Sequence, residues 1–349
     1  MNSNVLRAQQ ILEREFGDNW RVIAAQLGTE DLTKRVGKEL TSFMAFPERG
    51  AEGSNKYRGN CSPKVVEAIL KYVLDSKKFY GKDTKHFKLL DPMSGSGTSC
   101  EVAEKYGIDS ALYDLNPNPK KGKGNWNALR DDVEDSADLI FWHPPYDAII
   151  KYSGNMWGKP HPDDLSRCES YEDFCEKMNF VVRKLYTALR NDGRLAILVG
   201  DIRERDRGGF HSMQKDLMRM GDFESFIVKG QFNCVSDTRT YKKPFIPVVT
   251  EYMLVYHKNN PVIVPISWVK NSQFSILDKD YVGLTWNHLV RSVIEYMGGQ
   301  GKLSDIADML KEHPKSKKNE HYRERIRATV YEHSNEYISK GNGVYALVY

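Results

Sequence analysis

The chain has 349 residues, 40% of them hydrophobic and 28% charged, enough apolar material for one large domain and a smaller one. Its 51 Lys and Arg against 47 Asp and Glu leave a net charge of only +4, so bulk charge does not mark a nucleic-acid binder, although 311–327 is dense in basic residues. No run nears the roughly 20 apolar residues of a membrane span, no charged-then-apolar leader opens the chain, and Cys61, Cys100, Cys168, Cys175 and Cys234 offer no zinc-like spacing, so the expectation is a cytoplasmic protein with reduced thiols, no metal and no membrane partner.

Residues 1–45 are predicted to be a helical segment. Val5, Ile11, Leu12 and Phe16 share one apolar stripe and Trp20, Ile23, Ala24 and Leu27 another, a pattern that suits a cap over a larger domain. The stretch 55–63 then leads into a helix with Ser62 as its cap and Pro63 at its first position. Val65, Val66, Ile69, Leu70 and Val73 keep helical spacing along it. Leu89-Leu90-Asp91 reads as a strand running into Pro92-Met93-Ser94-Gly95-Ser96-Gly97-Thr98. Its glycines let the backbone turn sharply and approach a ligand without a Cβ in the way. The helix opening near Thr98 aims free N–H groups and a positive dipole end at such a ligand.

A second strand over 108–113 ends in Asp114, about 20 residues beyond the turn, where nucleotide-binding α/β folds hold ribose hydroxyls. A solvated loop carboxylate is the plain alternative. Asn125-Trp126-Asn127-Ala128-Leu129 follows, and then Asp138-Leu139-Ile140-Phe141-Trp142, a buried-looking strand that feeds His143-Pro144-Pro145-Tyr146. The two prolines fix φ and present their carbonyls rigidly.

A glycine turn of this form followed by His143-Pro144-Pro145-Tyr146 resembles the S-adenosylmethionine-dependent amino-methyltransferases, which methylate exocyclic amines of adenine or cytosine in DNA. The family carries an Asp-Pro-Phe-Ser-Gly-Ser-Gly-Thr-like cofactor turn and an (Asp/Asn/Ser)-Pro-Pro-Tyr segment, and the resemblance covers roughly 40–258. It implies that Asn60, Cys61, Asp91, Pro92, Met93, Ser94, Gly95, Gly97, Thr98, Asp114, Leu115 and Asn127 bind S-adenosylmethionine. Asn127 would stand against the adenine ring where the family has an acid. It also implies that His143, Pro144, Pro145 and Tyr146 are the catalytic segment, with the aromatic ring stacked on a flipped base.

An exocyclic amine is a poor nucleophile because its lone pair is delocalised into the ring. In the family, acceptors on its two protons come from the first side chain of the segment and the first proline carbonyl, and positioning and electrostatics carry the rate. The departure here is His143. A neutral imidazole keeps one acceptor nitrogen and so can replace a carboxamide oxygen or take a proton; the alternative is a structural histidine in a domain that has lost activity. With His143 there, the hint that separates adenine from cytosine is gone.

Downstream, 171–189 reads as an amphipathic helix, 193–201 as a fifth strand, 206–209 as a loop, 223–228 as a sixth strand and 250–256 as the strand that closes the sheet. The alternation predicts a doubly wound, Rossmann-like α/β sheet over 46–258 with ligands at its carboxyl edge. In the loop after the catalytic segment, Tyr152, Trp157 and Lys159 interleave aromatic and basic groups as a flipped nucleotide and its phosphates require. A simple lid is the alternative. Arg239, Lys242 and Lys243 are a second phosphate candidate.

A linker is predicted over 259–283, and 284–349 reads as three helices and a hairpin with a Gly341-Asn342-Gly343 tip. Ser304 is the expected cap of the second helix. This order resembles a winged helix-turn-helix of the kind found in restriction–modification proteins, and it implies phosphate contacts from Lys315, Lys317, Lys318, Arg323 and Arg327. The reading is therefore an enzyme of a restriction–modification or phage-related system, acting on double-stranded DNA with adenine N6 favoured over cytosine N4. An RNA N-methyltransferase and a catalytically silent DNA-binding regulator are the alternatives, and a homodimer is left open.

Overall fold

Successive side chains of a strand leave opposite faces, so the pairs Leu89-Leu90 and Leu139-Ile140 each feed two separate cores. In the computed structural model, which describes residues 10–14, 40–203, 209–232, 244, 246–259 and 285–348, Leu89 and Leu139 lie in one buried cluster and Leu90 and Ile140 in another. Two cores on one sheet require a layer of helices over each face.

The first layer is α1 (Pro63–Phe79), whose Val65, Val66, Ile69, Leu70 and Val73 are fully buried. The second is α3 (Tyr171–Ala188), which buries Phe174, Met178, Val181, Val182 and Leu185. Between them lie β1 (Phe43–Ala45), β2 (Lys88–Asp91), β3 (Asp109–Leu112), β4 (Ala137–Trp142), β5 (Leu189–Arg203), β7 (Asp222–Gly230) and β8 (Thr250–Lys258), ordered β1-β7-β8-β5-β4-β2-β3. A short β6 (Phe210–Ser212) extends β5 and precedes the one-turn α4 (Met213–Asp216). All pairings in the main path are parallel except those of β8, which runs antiparallel to both β5 and β7. The α2 helix (Thr98–Lys105) links β2 to β3.

Several expectations change. Phe43–Ala45 is a strand paired with β7 rather than part of a helical segment, because Met44 and Ala45 are needed to close that core. Residues 10–14 are helical; Val5, Phe16, Trp20, Ile23, Ala24 and Leu27 lie outside the described residues, as do Cys234, Arg239, Lys242, Lys243, 206–208 of the proposed loop and 260–283 of the proposed linker. Ser62 does stand before α1, but its hydroxyl donates to Arg49 O at 2.8 Å instead of capping.

The C-terminal unit runs α5 (Trp286–Tyr296), β9 (Gln300–Lys302), α6 (Leu303–Leu310), α7 (Pro314–Lys317), α8 (Tyr322–Glu332), β10 (Tyr337–Gly341) and β11 (Val344–Leu347). Its strands form an antiparallel sheet ordered β10-β11-β9, and Val290, Ile294, Ile306, Ile326 and Val330 fill its own core. Asn342 and Gly343 both take positive φ, at 51° and 74°, the backbone of a tight primed hairpin turn. Lys302, not Ser304, stands before α6, and the Ser304 hydroxyl donates to Asp305.

This unit is seated on the amino edge of the large sheet. Arg291 donates to Leu189 O at 2.6 Å, and Asn191 N donates to Glu295 at 3.0 Å. His288 Nε2 lies 3.3 Å from Asp135 O, just before β4. Burial pulls His288 from 6.5 to about 3, with the nearby Arg291 charge acting the same way.

A folded pKa below the unfolded one means that the unfolded chain binds the proton first, so acid weakens the fold as pH falls below the unfolded value. Urea unfolding at about pH 7.5 and about pH 5 should therefore give a smaller loss of stability for His288→Gln than for the wild type. The expected difference is about 1.4 kcal/mol per pH unit below roughly 6.5, and the comparison cancels every other titrating group. Equal slopes would mean that His288 takes up a proton as freely folded as unfolded.

Candidate active site

The chain leaves β2 toward β3 on one side, and leaves β4 through α3 toward β5 on the other. Where neighbouring strands hand on the chain in opposite directions, a crevice opens beyond their carboxyl ends. The glycine turn follows β2 and the His-Pro-Pro-Tyr segment follows β4, so the topology brings both motifs to that crevice.

Asp91 closes the base of the turn. Its carboxylate accepts Met93 N at 3.0 Å and the Ser99 hydroxyl at 2.6 Å, and burial raises its pKa to about 6 against those two bonds. Gly95 and Gly97 sit at φ +49° and +77°, where a side chain is strained. A Cβ on Gly95 would stand 3.1 Å from the Tyr57 ring, and one on Gly97 2.9 Å from Lys121 Cγ. Asp114, just beyond β3, accepts Gly95 N and Asn116 N, each at 2.8 Å. Burial raises its pKa, with those two N–H groups opposing the rise. Each of its oxygens retains a second lone pair for a ligand.

On the other wall, His143 Nε2 lies 3.0 Å from the Tyr146 hydroxyl, which donates to Glu251 Oε1 at 2.8 Å. Lys229 pairs with the second oxygen of Glu251. Burial drives the Glu251 pKa up, but the charges and hydrogen bonds of Lys229, His143 and Tyr146 outweigh it and hold the carboxyl below its ordinary range. Burial brings His143 down to about 4, against the pull of Glu251 and with the help of Lys229. The imidazole is therefore neutral near pH 7. Asp147 follows at φ +44°, uncommon for a non-glycine residue, and turns the chain into a 3-10 turn, Asp147–Ile149.

The loop beyond is more cross-linked than a simple lid. Asp164 is buried and accepts four hydrogen bonds, from the backbone N–H and hydroxyl of both Ser153 and Ser166, at 2.6–2.9 Å. Arg167 donates to Ser153 O at 2.8 Å and to Asn155. Asp163 is held by Asn127 at 2.8 Å and Arg130 at 3.0 Å. The resulting cleft is open to solvent and is lined by residues of both motifs and of this loop.

Of the residues singled out from sequence, Asn60, Cys61, Asp91, Pro92, Met93, Ser94, Gly95, Thr98, Asp114, Leu115, His143, Pro145, Tyr152 and Trp157 line this one cleft. Gly97, Asn127, Pro144, Tyr146 and Lys159 are not among its lining residues. The Asn127 side chain donates to Asp163 and accepts Leu129 N, and it is Asp163 of this pair that lines the cleft. Tyr146 lies over Gly200, where a Cβ would come within 2.9 Å of its ring. Lys159 is exposed. The lining that sequence reasoning did not assign includes Tyr57, Trp126, Phe141, Asp163 and Leu165. Trp126 carried a signal, as a large aromatic residue just after the second strand; it stacks on Tyr113 at 4.9 Å.

In the C-terminal unit, Lys317 pairs with Glu312 at 2.8 Å and Arg323 with Asp308 at 2.6 Å. Lys315 lies 3.9 Å from Asp132 and over the Trp286 ring. Lys318 and Arg327 are exposed. Among the described residues, no group of three or more His, Cys, Asp or Glu is placed to hold a metal ion, and no helix is long and apolar enough to cross a membrane.

No protein-family model and no curated protein matches the chain. Solved structures similar to it include TrmN from Thermus thermophilus, at 17% identity and TM-score 0.31 over 58% of this chain and 50% of that one. TehB from Haemophilus influenzae matches at 13% and 0.30, over 55% and 63% respectively. A SAM-dependent methyltransferase from Archaeoglobus fulgidus matches at 12% and 0.30, over 57% and 95%. The chain thus spans about half the length of the Thermus protein and under two thirds of the Haemophilus one.

Asp164→Ala tests the built character of the loop. It strands two buried backbone N–H groups, those of Ser153 and Ser166, at about 1–3 kcal/mol each. Urea titration should record a loss of about 2 kcal/mol or more, and limited proteolysis should begin within 150–167. An unchanged midpoint would return the loop to a loosely held lid.

Proposed function

We propose that the protein transfers a methyl group from S-adenosylmethionine to the exocyclic amine of a base in double-stranded DNA, adenine N6 foremost. The observation that carries this is the meeting of two sequence-distant motifs in one cleft, with Asp114 and His143 lining it together.

The residues present fit the cofactor. Asp114 has a free lone pair on each oxygen for the two ribose hydroxyls. Trp126, Ala128 and Leu165 offer apolar surface for an adenine ring, and Asp163 offers an acceptor for its amine. Gly95 brings bare backbone close to the methionine part. The cofactor, when bound, supplies an electrophilic sulfonium methyl. His143, which lines the cleft, would then hold the target amine so that its lone pair leaves conjugation. Methylation of the amine would release one of its protons to an acceptor. His143, neutral near pH 7, is that acceptor.

The C-terminal unit has the helix and strand order of a winged helix, and we assign it a supporting DNA contact. It stands on the amino edge, whereas the cleft is at the carboxyl edge, and the six residues of β4 between them span about 20 Å. Its phosphate contacts therefore flank the target base. Lys318 and Arg327 are better placed for them than Lys315, Lys317 or Arg323, which already face carboxylates. Neutralising Lys318 and Arg327 should flatten the salt dependence of DNA binding by about one unit of slope per lost contact. An unchanged slope would leave the unit as a protein-interaction or dimerisation module.

For the cleft, calorimetry with S-adenosylmethionine should record a loss of about 1–3 kcal/mol in Asp114→Ala. His143→Ala should keep cofactor affinity while methyl transfer to duplex DNA falls about 10²–10⁴-fold. Mass spectrometry of digested product DNA identifies the base. Full turnover by His143→Ala would refute its role, and unchanged affinity in Asp114→Ala would remove the ribose assignment.

A further inference from the structure

Directly opposite residues on antiparallel strands share a face. Gly200 on β5 pairs with Glu251 on β8, and Glu251 pairs with Lys229 on β7. The three therefore form one row across the sheet, ending beneath the catalytic segment. Gly200, having no Cβ, leaves room for the Tyr146 ring. Glu251 accepts a hydrogen bond from the Tyr146 hydroxyl, and Lys229 pairs with Glu251. No motif pointed to Glu251 or Lys229, and neither lines the cleft.

Counting protons along this row has a definite outcome. A tyrosine hydroxyl has one proton to give. An ionised Glu251 is an acceptor only, so at 2.8 Å the Tyr146 proton is committed to it. The Tyr146 oxygen can then only accept from His143 Nε2, 3.0 Å away, and this nitrogen must carry the imidazole proton. Nδ1 is left unprotonated, with no hydrogen bond to any of the described residues, on a side chain that lines the cleft.

We propose that Glu251 and Lys229 are positioning residues which, through Tyr146, fix His143 in its Nε2–H tautomer and so make Nδ1 the acceptor for the target amine. The proposal rests on the methyltransferase reading for its last clause only. The groups that face His143 are Tyr146 on its own segment, Glu251 on β8 and Lys229 on β7. Cys61, before α1, stands near the same pair and is kept a neutral thiol, since burial raises it to about 12. Lys229 matters because a buried carboxylate without a counter-charge gains a proton readily, and a protonated Glu251 no longer claims the proton of Tyr146. An uncontrolled His143 would divide between two tautomers, only one of which offers the acceptor. As the amine nitrogen forms its bond to the methyl carbon and the pair from the C–S bond goes to sulfur, the released proton passes to Nδ1 and then to solvent.

The test uses the full chain with histidine labelled by ¹⁵N, the signals of His143 being those absent from His143→Gln. In the wild type near pH 7, Nε2 should carry the proton and Nδ1 should not. Tyr146→Phe, which removes only the hydroxyl, and Glu251→Gln should both give mixed tautomers. Each should lower kcat about 10- to 100-fold, the lower part of the range for a positioned acid–base group, with KM for DNA and S-adenosylmethionine affinity unchanged. Lys229→Met should move the acid limb of kcat upward by about one pH unit or more, a shift that a purely structural role would not produce. An Nδ1–H tautomer in the wild type, or an acid limb unmoved in Lys229→Met, overturns the proposal. A wild type that holds the Nε2–H tautomer yet transfers no methyl to DNA supports the lock and refutes the functional reading beneath it.

Discussion

Two adjacent parallel strands, β2 and β4, send the chain away in opposite directions, and the rest of the molecule is arranged around that divergence. No helix connects one to the other directly, so nothing covers the space beyond their carboxyl ends. The turn at 92–97 can tighten there only because Gly95 and Gly97 accept positive φ, and Asp91 and Asp114 satisfy the N–H groups it exposes. The buried strand β4 delivers His143 to the same opening. The loop pinned by Asp164 then walls the third side. The strand order leaves one opening of this kind among the described residues.

The two edges of the sheet use buried charge differently. At the amino edge, Asp138 is held by Lys77 at 2.9 Å and Arg190 at 2.7 Å, and Arg194 by Glu224 at 3.1 Å. Burial pushes the Asp138 carboxyl up, and the Arg190 and Lys77 charges more than reverse the shift. Removing one member of such a set leaves an uncompensated charge, which costs about 3–5 kcal/mol. These groups fasten: α1, β4, β5 and β7 are tied there. At the carboxyl edge, the buried Lys229–Glu251 pair holds Tyr146, whose hydroxyl reaches His143 on the cleft wall. Buried ion pairs thus join elements on one side and, on the reading we propose, govern a proton on the other.

Much of this was legible in the sequence because it is local. Apolar spacing at 65–73 and consecutive apolar residues at 89–90 and 139–140 pointed to α1, β2 and β4, and the glycine turn and the His-Pro-Pro-Tyr segment to the two walls of the cleft. What was not legible depends on pairing across long separations. β1 is three residues long and is specified by its partner β7 rather than by its own pattern. Asn127 stands at the expected place, but its amide is drawn to Asp163, 36 residues on, which faces the cleft instead. Three of the five basic residues expected to contact phosphates, Lys315, Lys317 and Arg323, face Asp132, Glu312 and Asp308 in the fold. Charge along a chain does not report charge on a surface until the folded partners are known.

The departure at His143 and the buried row at Gly200, Glu251 and Lys229 account for each other. An Asp, Asn or Ser at the head of the segment presents oxygen lone pairs whatever its neighbours do. A histidine presents an acceptor on only one of two nitrogens, and which one is settled by the bond the other makes. Replacing an oxygen acceptor with an imidazole therefore creates a requirement that the short segment cannot meet by itself. It is met from β8 and β7, by a carboxylate that can only accept and an ammonium that keeps it ionised. Gly200 belongs to the same solution, since any side chain there would push Tyr146 away from Glu251. Read alone, His143 looks like an eroded motif; on the reading we propose, residues more than 80 positions away place its proton and make it an acceptor of defined orientation.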